Sequence, residues 1–277
     1  MTKVRFFDKR VVDYFFRITS CICVVLSIGV IFLDIPKDCK VTFGLIFLCV
    51  LVLIYLAIWV WANKLTRIHI NVEGSDVSIK VGDIFQQPGL KAISFNEYFD
   101  TQVDNRIIAE ASLNGIFIKQ HLDIPVSELD RYIDSYAFEH SNTKSNPHRK
   151  VGKKLSHLIG TICVYKEFLL TSFSKFDEDN RAILTMPEYL GFLINFWDNV
   201  NRVYAQQSVS TPIFGSGITR IKGHKSITDE DLLKIMLWTF RISEMRFKYP
   251  AKLTVVIHKD KIDKINLLDI KSARNGV

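Results

Sequence analysis

The sequence predicts two transmembrane α-helices followed by an α/β domain, and three observations lead to this fold class. Residues 18–33 contain no charged side chain, and residues 41–63 form a second uncharged run. Beyond residue 66, strand-like apolar segments alternate with helix-like amphipathic ones, which is typical of a layered α/β domain. The predicted division is a helical hairpin over residues 1–63, with spans at about 16–35 and 41–62, and a second domain over residues 64–277.

The two uncharged runs differ in length, but each is compatible with a membrane span. The second run has 23 residues, and at 1.5 Å per residue it covers about 34 Å, more than the ~30 Å hydrocarbon core of a bilayer. It ends near Trp59 and Trp61, which suit the headgroup region. The first run has sixteen residues, and Arg17 can extend it by snorkelling to the interface. A cleaved signal peptide is less consistent, because no clean small-residue cleavage site follows the apolar run.

The flanking charges predict the orientation of the hairpin. The short segment between the runs, residues 34–40, carries no net charge, whereas both outer flanks are basic. These basic residues are Lys3, Arg5, Lys9, Arg10, Arg17, Lys64 and Arg67. The positive-inside rule then places both ends of the chain, and the domain over 64–277, in the cytoplasm.

A narrow face of small residues runs along the first predicted helix. Ser20, Cys23 and Ser27 recur at three- and four-residue spacing, and such faces let helices approach closely in lipid. The face could pack the two helices of one hairpin together, or it could mediate contact between protomers. The sequence leaves both interpretations open.

Composition argues against several other classes of protein. The formal charge of +7 is spread over mixed signs, whereas a nucleic-acid binder more often has a concentrated basic stripe. The five cysteines form no CxxC pair and the histidines form no HxxxH pair, so neither a disulfide framework nor a metal site is expected.

The remainder of the chain predicts a sheet covered by helices. Strands are predicted at residues 67–72, 77–81, 90–95, 160–166, 167–176, 208–214 and 253–258. Helices are predicted at 125–140, from the capping box at Thr185 to about 206, from Thr228 to about 246, and at 263–273.

The strongest local motif is the segment Pro212-Ile213-Phe214-Gly215-Ser216-Gly217, in which an apolar strand runs into a Gly-Ser-Gly turn. Glycines let backbone N–H groups surround an anion, and α/β folds bind ligands at the carboxyl ends of strands. A plain tight turn is the alternative. A Walker A loop ending at Gly223-His224-Lys225-Ser226 has the wrong spacing. A dinucleotide GxGxxG motif fails because Arg220 stands at the third glycine.

Two further segments follow predicted strands and carry polar groups. In Gly82-Asp83-Ile84-Phe85 the carboxylate could accept a hydrogen bond from the amine of adenine, or it could cap the local backbone. In Asn96-Glu97-Tyr98-Phe99-Asp100, amide, carboxylate and aromatic groups would share one rim.

These three segments, in this order, resemble the macro domain family over residues 67–277. The resemblance implies a three-layer α/β/α sandwich with a mixed sheet. It also implies adenine contacts at Asp83 and Ile84, a distal-ribose contact at Asn96, and a diphosphate loop over 212–217. The counterpart of the family's glycine run is Leu113-Asn114-Gly115-Ile116. The predicted ligand-binding residues are Asp83, Ile84, Asn96, Glu97, Tyr98, Asp100, Asn114, Gly115, Pro212, Phe214, Gly215, Ser216, Gly217, Ile218 and Arg220.

The combination of two spans with a divergent macro domain resembles the transmembrane effectors of bacterial Thoeris anti-phage systems. The resemblance implies a partner TIR-domain enzyme that makes an ADP-ribose-derived signal from NAD, with amino-acid conjugation of that signal left open. It further implies a homo-oligomer that disrupts the bacterial inner membrane. No cofactor, metal or nucleic acid is expected to bind.

Two alternatives of other classes remain. A membrane-tethered ADP-ribosyl hydrolase would need a general base, for which Glu97, Asp100 and Asp104 are the candidates. However, the Asn-Ala-Ala-Asn segment of hydrolysing members is absent. The other alternative is a membrane anchor whose domain binds protein and has no affinity for nucleotides.

Overall fold

A computed structural model describes residues 2–32, 36–138, 143–177, 180–217, 219–224 and 226–272. The described residues form two compact units, which we describe separately. One unit contains residues 2–68 and 263–272, and the other contains residues 69–262. The predicted domain boundary at residue 64 stays a prediction.

Two long helices dominate the first unit. Helix α1 spans Lys9–Phe32 and helix α2 spans Lys40–Lys64, and both are long and apolar enough to cross a membrane. Most of their large apolar side chains are uncovered, including Phe32 at 81% exposure and Val41 at 75%. Side chains this apolar are normally removed from water, and a lipid environment would do so.

The contacts between α1 and α2 are concentrated near the start of α1 and the end of α2. Val11 of α1 and Ile58 and Ala62 of α2 are buried in one cluster together with Val4. The indole N–H of Trp59 donates to the carbonyl oxygen of Val4 at 3.1 Å. In contrast, the predicted small-residue face of Ser20, Cys23 and Ser27 is exposed, so it does not form the contact between the two helices within one chain.

The C-terminal helix α7, Leu267–Ser272, belongs to the same unit as α1 and α2. Leu268 is fully buried in the cluster around Val11 and Ala62. Arg10 forms an ion pair with Asp269 and donates to the hydroxyl of Ser272 at 3.3 Å. The last helix is therefore tied to the base of the hairpin by apolar packing and by charge.

A mixed sheet forms the centre of the second unit. Its strands are β1 (Arg67–Val72), β2 (Ser75–Val81), β3 (Leu90–Asn96), β6 (Ile162–Tyr165), β7 (Phe168–Phe176), β8 (Ala182–Thr185), β9 (Val209–Pro212), β10 (Arg220–Lys222) and β11 (Leu253–Ile257). The order is β1-β2-β11-β9-β3-β7-β8-β10, with β6 paired to β7. The central neighbours β11, β9, β3 and β7 are parallel, whereas β6 and β8 are antiparallel to β7. A separate hairpin joins β4 (Thr143–Ser145) and β5 (Leu155–His157).

Helices cover both faces of this sheet, as the alternation of side chains along β7 shows. Phe173 packs on Phe192 of helix α5 (Met186–Val203) with ring centroids 4.7 Å apart. Phe168, on the opposite face, packs at 4.7 Å on Phe117, which follows the short helix α3 (Leu113–Ile116) in a π-helical turn. Helix α4 (Val126–Ser135) covers the α3 face, and helix α6 (Asp229–Ile242) packs against α5. The predicted α/β/α sandwich with a mixed sheet is confirmed.

Local signals in the sequence located the helix starts well. The predicted capping box at Thr185 and the predicted helix start at Thr228 are confirmed, and both residues form a capping box with reciprocal side-chain and backbone hydrogen bonds. The predicted helix at 125–140 is shorter, because it ends at Ser135, and Pro125 is its N-cap. Residues 139 and 140 lie outside the described residues.

One buried histidine makes the stability of the second unit depend on pH. His157 is only 7% exposed and lies between Phe99 and Phe138, with ring centroids 5.1 and 4.3 Å away. Burial, reinforced by Lys153 and opposed by Asp134, lowers the pKa of His157 from 6.5 to about 4. The unfolded chain therefore binds more protons between these two values, and stability falls as the pH falls through that window.

We expect the melting temperature of the detergent-solubilised protein to drop by several degrees between pH 7.5 and pH 5. His157→Phe should reduce this drop, because it removes the titrating group and a buried Nδ1 atom that has no partner among the described residues. The same substitution at the exposed His69 should leave the drop unchanged. An equal drop in the His157→Phe variant would contradict the assignment.

Candidate functional site

A cavity of about 580 Å³ opens at the carboxyl ends of β3, β7 and β9. These ends meet at one edge because the three strands are parallel neighbours. The cavity is lined by Ser94–Asn96, Asn105–Ala109, Ala111–Asn114, Phe173, Ser174, Phe176, Asn180–Ile183, Pro212–Gly217 and Thr219. Its volume lies in the range of sites for nucleotide-sized ligands, roughly 300–1,000 Å³.

The charge of the lining favours an anionic ligand. Arg106 and Arg181 line the cavity, and no Asp or Glu is among the described lining residues. The rest of the lining is apolar or neutral, with several amide and hydroxyl groups. Positive groups beside apolar walls attract a charged phosphate more strongly than they would in open water.

The loop after β9 provides backbone groups that could bind such an anion. Gly215 adopts a left-handed backbone conformation, with φ of +85°, which glycine accepts without strain. The carbonyl oxygen of Phe214 accepts from the buried Tyr189 hydroxyl at 2.9 Å, and that of Ser216 accepts from Lys261 Nζ at 2.8 Å. Within the described residues, the N–H groups of Gly215 and Gly217 have no hydrogen-bond partner. The loop is thus held by two of its carbonyls and by the N–H of Ser216, which donates to the carbonyl oxygen of Ile213 at 3.3 Å, and the N–H groups of Gly215 and Gly217 are available to a ligand.

Phe214 anchors the loop in the core beneath the cavity. It is 1% exposed, and its ring lies 4.8 Å from that of Phe192 and 4.9 Å from that of Phe196. Its own N–H donates to the sulfur of Met236 at 3.3 Å. The packing of Phe214 on α5 and α6 therefore fixes the position of the loop.

Of the remaining predicted residues, Asn96 and Asn114 also line the cavity. Asn96 ends β3 and is 3% exposed. Asn114 lies in the first turn of α3, where its Oδ1 accepts from the Ser112 hydroxyl at 2.6 Å. Gly115 does not line the cavity but supports its wall. A Cβ on Gly115 would lie 2.3 Å from the carbonyl oxygen of Ala109 and 2.9 Å from that of Glu110.

We expect Gly115→Ala to destabilise the protein by roughly 1–3 kcal/mol, because the backbone of residues 109 and 110 would have to move. The same movement should weaken ligand binding, since Ala109 lines the cavity. Gly191→Ala is the control, because no atom lies within 4 Å of its added Cβ. Thermal unfolding of both variants tests this. An unchanged melting temperature for Gly115→Ala would contradict this prediction, because the backbone of residues 109 and 110 would then move without a cost in stability.

Asp83 and Ile84, the predicted adenine contacts, do not line this cavity. Asp83 caps a 3-10 turn over Ile84–Gln86, where its Oδ1 accepts from Phe85 N at 2.9 Å. Ile84 is 6% exposed and packs as an apolar side chain. Backbone capping, the alternative that the sequence left open for Asp83, is what the structure shows, and an adenine contact stays a prediction.

The structure does not place Glu97, Tyr98 and Asp100 on the rim of the cavity. The Glu97 carboxylate accepts from Phe176 N at 3.1 Å, and burial raises its pKa. Asp100 is 2% exposed and forms an ion pair with Arg149. The ring of Tyr98 lies 3.8 Å from the guanidinium carbon of that arginine. These three side chains point to neighbouring protein groups because each has a buried or paired partner there.

Two predicted residues cannot be placed. Ile218 lies outside the described residues, and Arg220 lies in β10 with an undescribed side chain. Residues 105–109, 111, 112 and 180–183 line the cavity but were missed by sequence reasoning. The Asp104-Asn105-Arg106 turn was a usable signal, because the Asp104 carboxylate caps the N–H groups of Arg106 and Ile107.

The fold and the cavity define a macro-domain protein that carries two apolar helices at its N-terminus. A family model described as "Thoeris protein ThsA, Macro domain" matches residues 77–258. The curated "Thoeris protein ThsA" of Bacillus amyloliquefaciens (strain Y2) is 37% identical over 276 residues, which is 98% of this chain and 92% of that protein. The chain belongs to the Thoeris ThsA family, so the resemblance inferred from the sequence is confirmed.

Solved structures with some likeness to the chain are macrodomains of Oceanobacillus iheyensis. A variant of that macrodomain with ADPR has a TM-score of 0.41 and 12% identity, covering 75% of this chain and 96% of that one. The macrodomain with ADP has a TM-score of 0.41 and 13% identity, covering 75% and 94%.

Proposed function

We propose that the cavity binds an ADP-ribose-derived nucleotide and that the protein is the membrane-anchored effector of an anti-phage system. The observation that carries the proposal is the cavity itself, which combines Arg106, Arg181 and the N–H groups of Gly215 and Gly217 without a described carboxylate in its lining. A diphosphate would bind at the glycine loop. Its two negative charges match the two arginines.

The rest of the ligand would extend along the polar part of the cavity toward Asn96. A ribose offers hydroxyl groups for the amides of Asn96, Asn105 and Asn180, all of which line the cavity. Amino-acid conjugation would add a group beyond the ribose. A contact of adenine with Asp83 and Ile84 is part of this proposal.

We further propose that a TIR-domain enzyme makes this signal from NAD and that binding triggers assembly of the effector in the bacterial inner membrane. Membrane anchoring is supported by the length and apolar character of α1 and α2. The basic residues that flank them support a cytoplasmic location for both termini. The exposed face of Ser20, Cys23 and Ser27 supports contact between protomers that would then disrupt the bilayer.

A sensor is favoured over a hydrolase by the contacts of two of the three candidate bases, Asp100 and Asp104. Asp100 is paired with Arg149. Both oxygens of Asp104 accept hydrogen bonds, and the N–H of Ile107 is the largest of several donors that lower its pKa. A carboxylate held in this way is a weak base for activating water.

The test is calorimetric titration of the full-length protein in detergent with ADP-ribose, NAD and amino-acid-conjugated ADP-ribose. Micromolar or tighter binding of one of them is expected, and the preferred ligand would identify the signal. Absence of binding by all three would overturn the nucleotide proposal in favour of a protein-binding anchor. Release of ADP-ribose from a modified protein, followed by mass spectrometry, would instead support the hydrolase.

A further inference from the structure

The segment after β3 is built around a buried ion pair. Asp100 is 2% exposed, and both of its carboxylate oxygens accept from Arg149, with Nη1–Oδ1 at 3.1 Å and Nη2–Oδ2 at 2.6 Å. The side chain of Arg149 is 7% exposed and stacks on the ring of Tyr98. The backbone N–H of Lys153 donates to the same carboxylate at 2.8 Å. A bidentate, stacked and desolvated arginine of this kind holds one geometry.

This ion pair connects two asparagines that line the cavity from different elements. Asn96, at the end of β3, donates from Nδ2 to Asp100 Oδ2 at 2.9 Å. Asn180, in the loop between β7 and β8, accepts at its Oδ1 from Arg149 Nη2 at 3.0 Å. The chain of contacts Asn96–Asp100–Arg149–Asn180 therefore joins two walls of the site.

These contacts also decide which end of each amide can meet a ligand. The Oδ1 atom of Asn96 accepts from the backbone N–H groups of Tyr98 and Asp100 at 3.0 and 3.2 Å. One of the two hydrogens on its Nδ2 goes to Asp100, so one hydrogen remains to be donated. The oxygen of Asn180 accepts from Arg149, which fixes the orientation of this amide, and its NH₂ group donates to no partner among the described residues. Both asparagines therefore present an N–H hydrogen-bond donor to a ligand in the cavity.

We propose that Arg149 is a positioning residue for ligand recognition, which acts through Asn96 and Asn180 to orient two amide donors toward the ribose hydroxyl oxygens of the ligand. The inference rests on the proposed binding of an ADP-ribose-type nucleotide and adds what selects its terminal ribose. Arg149 itself does not line the cavity. Its loss should therefore change discrimination between ligands rather than remove the site.

The test compares ADP-ribose with ADP, which lacks the terminal ribose, by calorimetry on the full-length protein in detergent. Arg149→Lys keeps the charge but cannot form the bidentate fork. We expect its affinity for ADP-ribose to fall by roughly tenfold, as for the loss of a well-oriented hydrogen bond. Its affinity for ADP should stay within about twofold of wild type. Asp100→Asn should show the same pattern, and Arg131→Lys, on the exposed face of α4, should show neither change.

A mutant cycle with Asn180→Ala separates positioning from general loss of structure. If Arg149 acts through Asn180, adding Arg149→Lys to Asn180→Ala should cost less ADP-ribose affinity than Arg149→Lys does alone. Equal losses for ADP and ADP-ribose, no loss for either, or full additivity in the cycle would each overturn the inference. If wild type bound neither ligand, the proposed function would fail and this inference with it.

Discussion

Replacing Gly217 by glutamate is expected to reduce the affinity for ADP-ribose by at least about 100-fold, because it brings a negative charge beside the proposed diphosphate site. Gly217 lines the cavity, and no atom lies within 4 Å of a Cβ added there. The variant should therefore fold normally. Calorimetry with ADP-ribose measures the loss, and signal-dependent toxicity in cells should disappear with it.

Two controls separate charge from shape in this experiment. Gly217→Gln has nearly the same size without the charge, and it should retain much more affinity than Gly217→Glu. Gly191→Glu places the same carboxylate on α5, outside the described cavity lining, and should bind as wild type does. Full affinity in Gly217→Glu would remove the glycine loop from the binding site.

Replacing Leu268 by aspartate is expected to release α7 from the base of the hairpin. Leu268 is 0% exposed and packs with Val4, Val11, Ile58 and Ala62. Placing a charge there should cost at least about 3 kcal/mol, since both the apolar contacts and the hydration of the carboxylate are lost. Limited proteolysis of the detergent-solubilised protein should then cleave near residue 266 much faster than in wild type.

The control for this release is Lys271→Asp, which puts the same side chain on the exposed side of α7. It should leave the proteolysis rate unchanged. Affinity for ADP-ribose should be retained in both variants, because the cavity is formed within residues 69–262. If the Leu268→Asp variant were cleaved no faster than wild type, the polar contacts of Asp269 and Asn266 would be sufficient to hold α7 in place.

Most of the architecture could be predicted from local patterns. The two apolar runs predicted α1 and α2, although both helices extend beyond the predicted spans, from Lys9 and to Lys64. The capping box at Thr185 predicted the start of α5, and Thr228 with the acidic residues after it predicted the start of α6. The short elements α3, β8 and β10 were missed, because three or four residues carry too little periodicity to be recognised.

The candidate site was predictable where a motif coincides with the end of a buried strand. This holds for Pro212–Gly217 and for Asn96, which line the cavity. Glu97, Tyr98 and Asp100 do not line the cavity, because they contact Phe176, Asn146 and Arg149, respectively, which come from segments remote in the sequence. The resemblance to the macro domain family gave the order of the binding motifs along the chain. It did not show which of their side chains form contacts within the protein instead of lining the cavity.

By itself, the sequence determined that this protein has two apolar helices, an α/β domain and a glycine loop after a late strand. These features depend on composition and short-range periodicity, which each segment carries alone. Only the tertiary structure decided that α7 packs at the base of the hairpin and that Asp100 pairs with Arg149. It also assembled the cavity from three parallel strands. Such contacts depend on which distant side chains meet, and only close packing in three dimensions selects them.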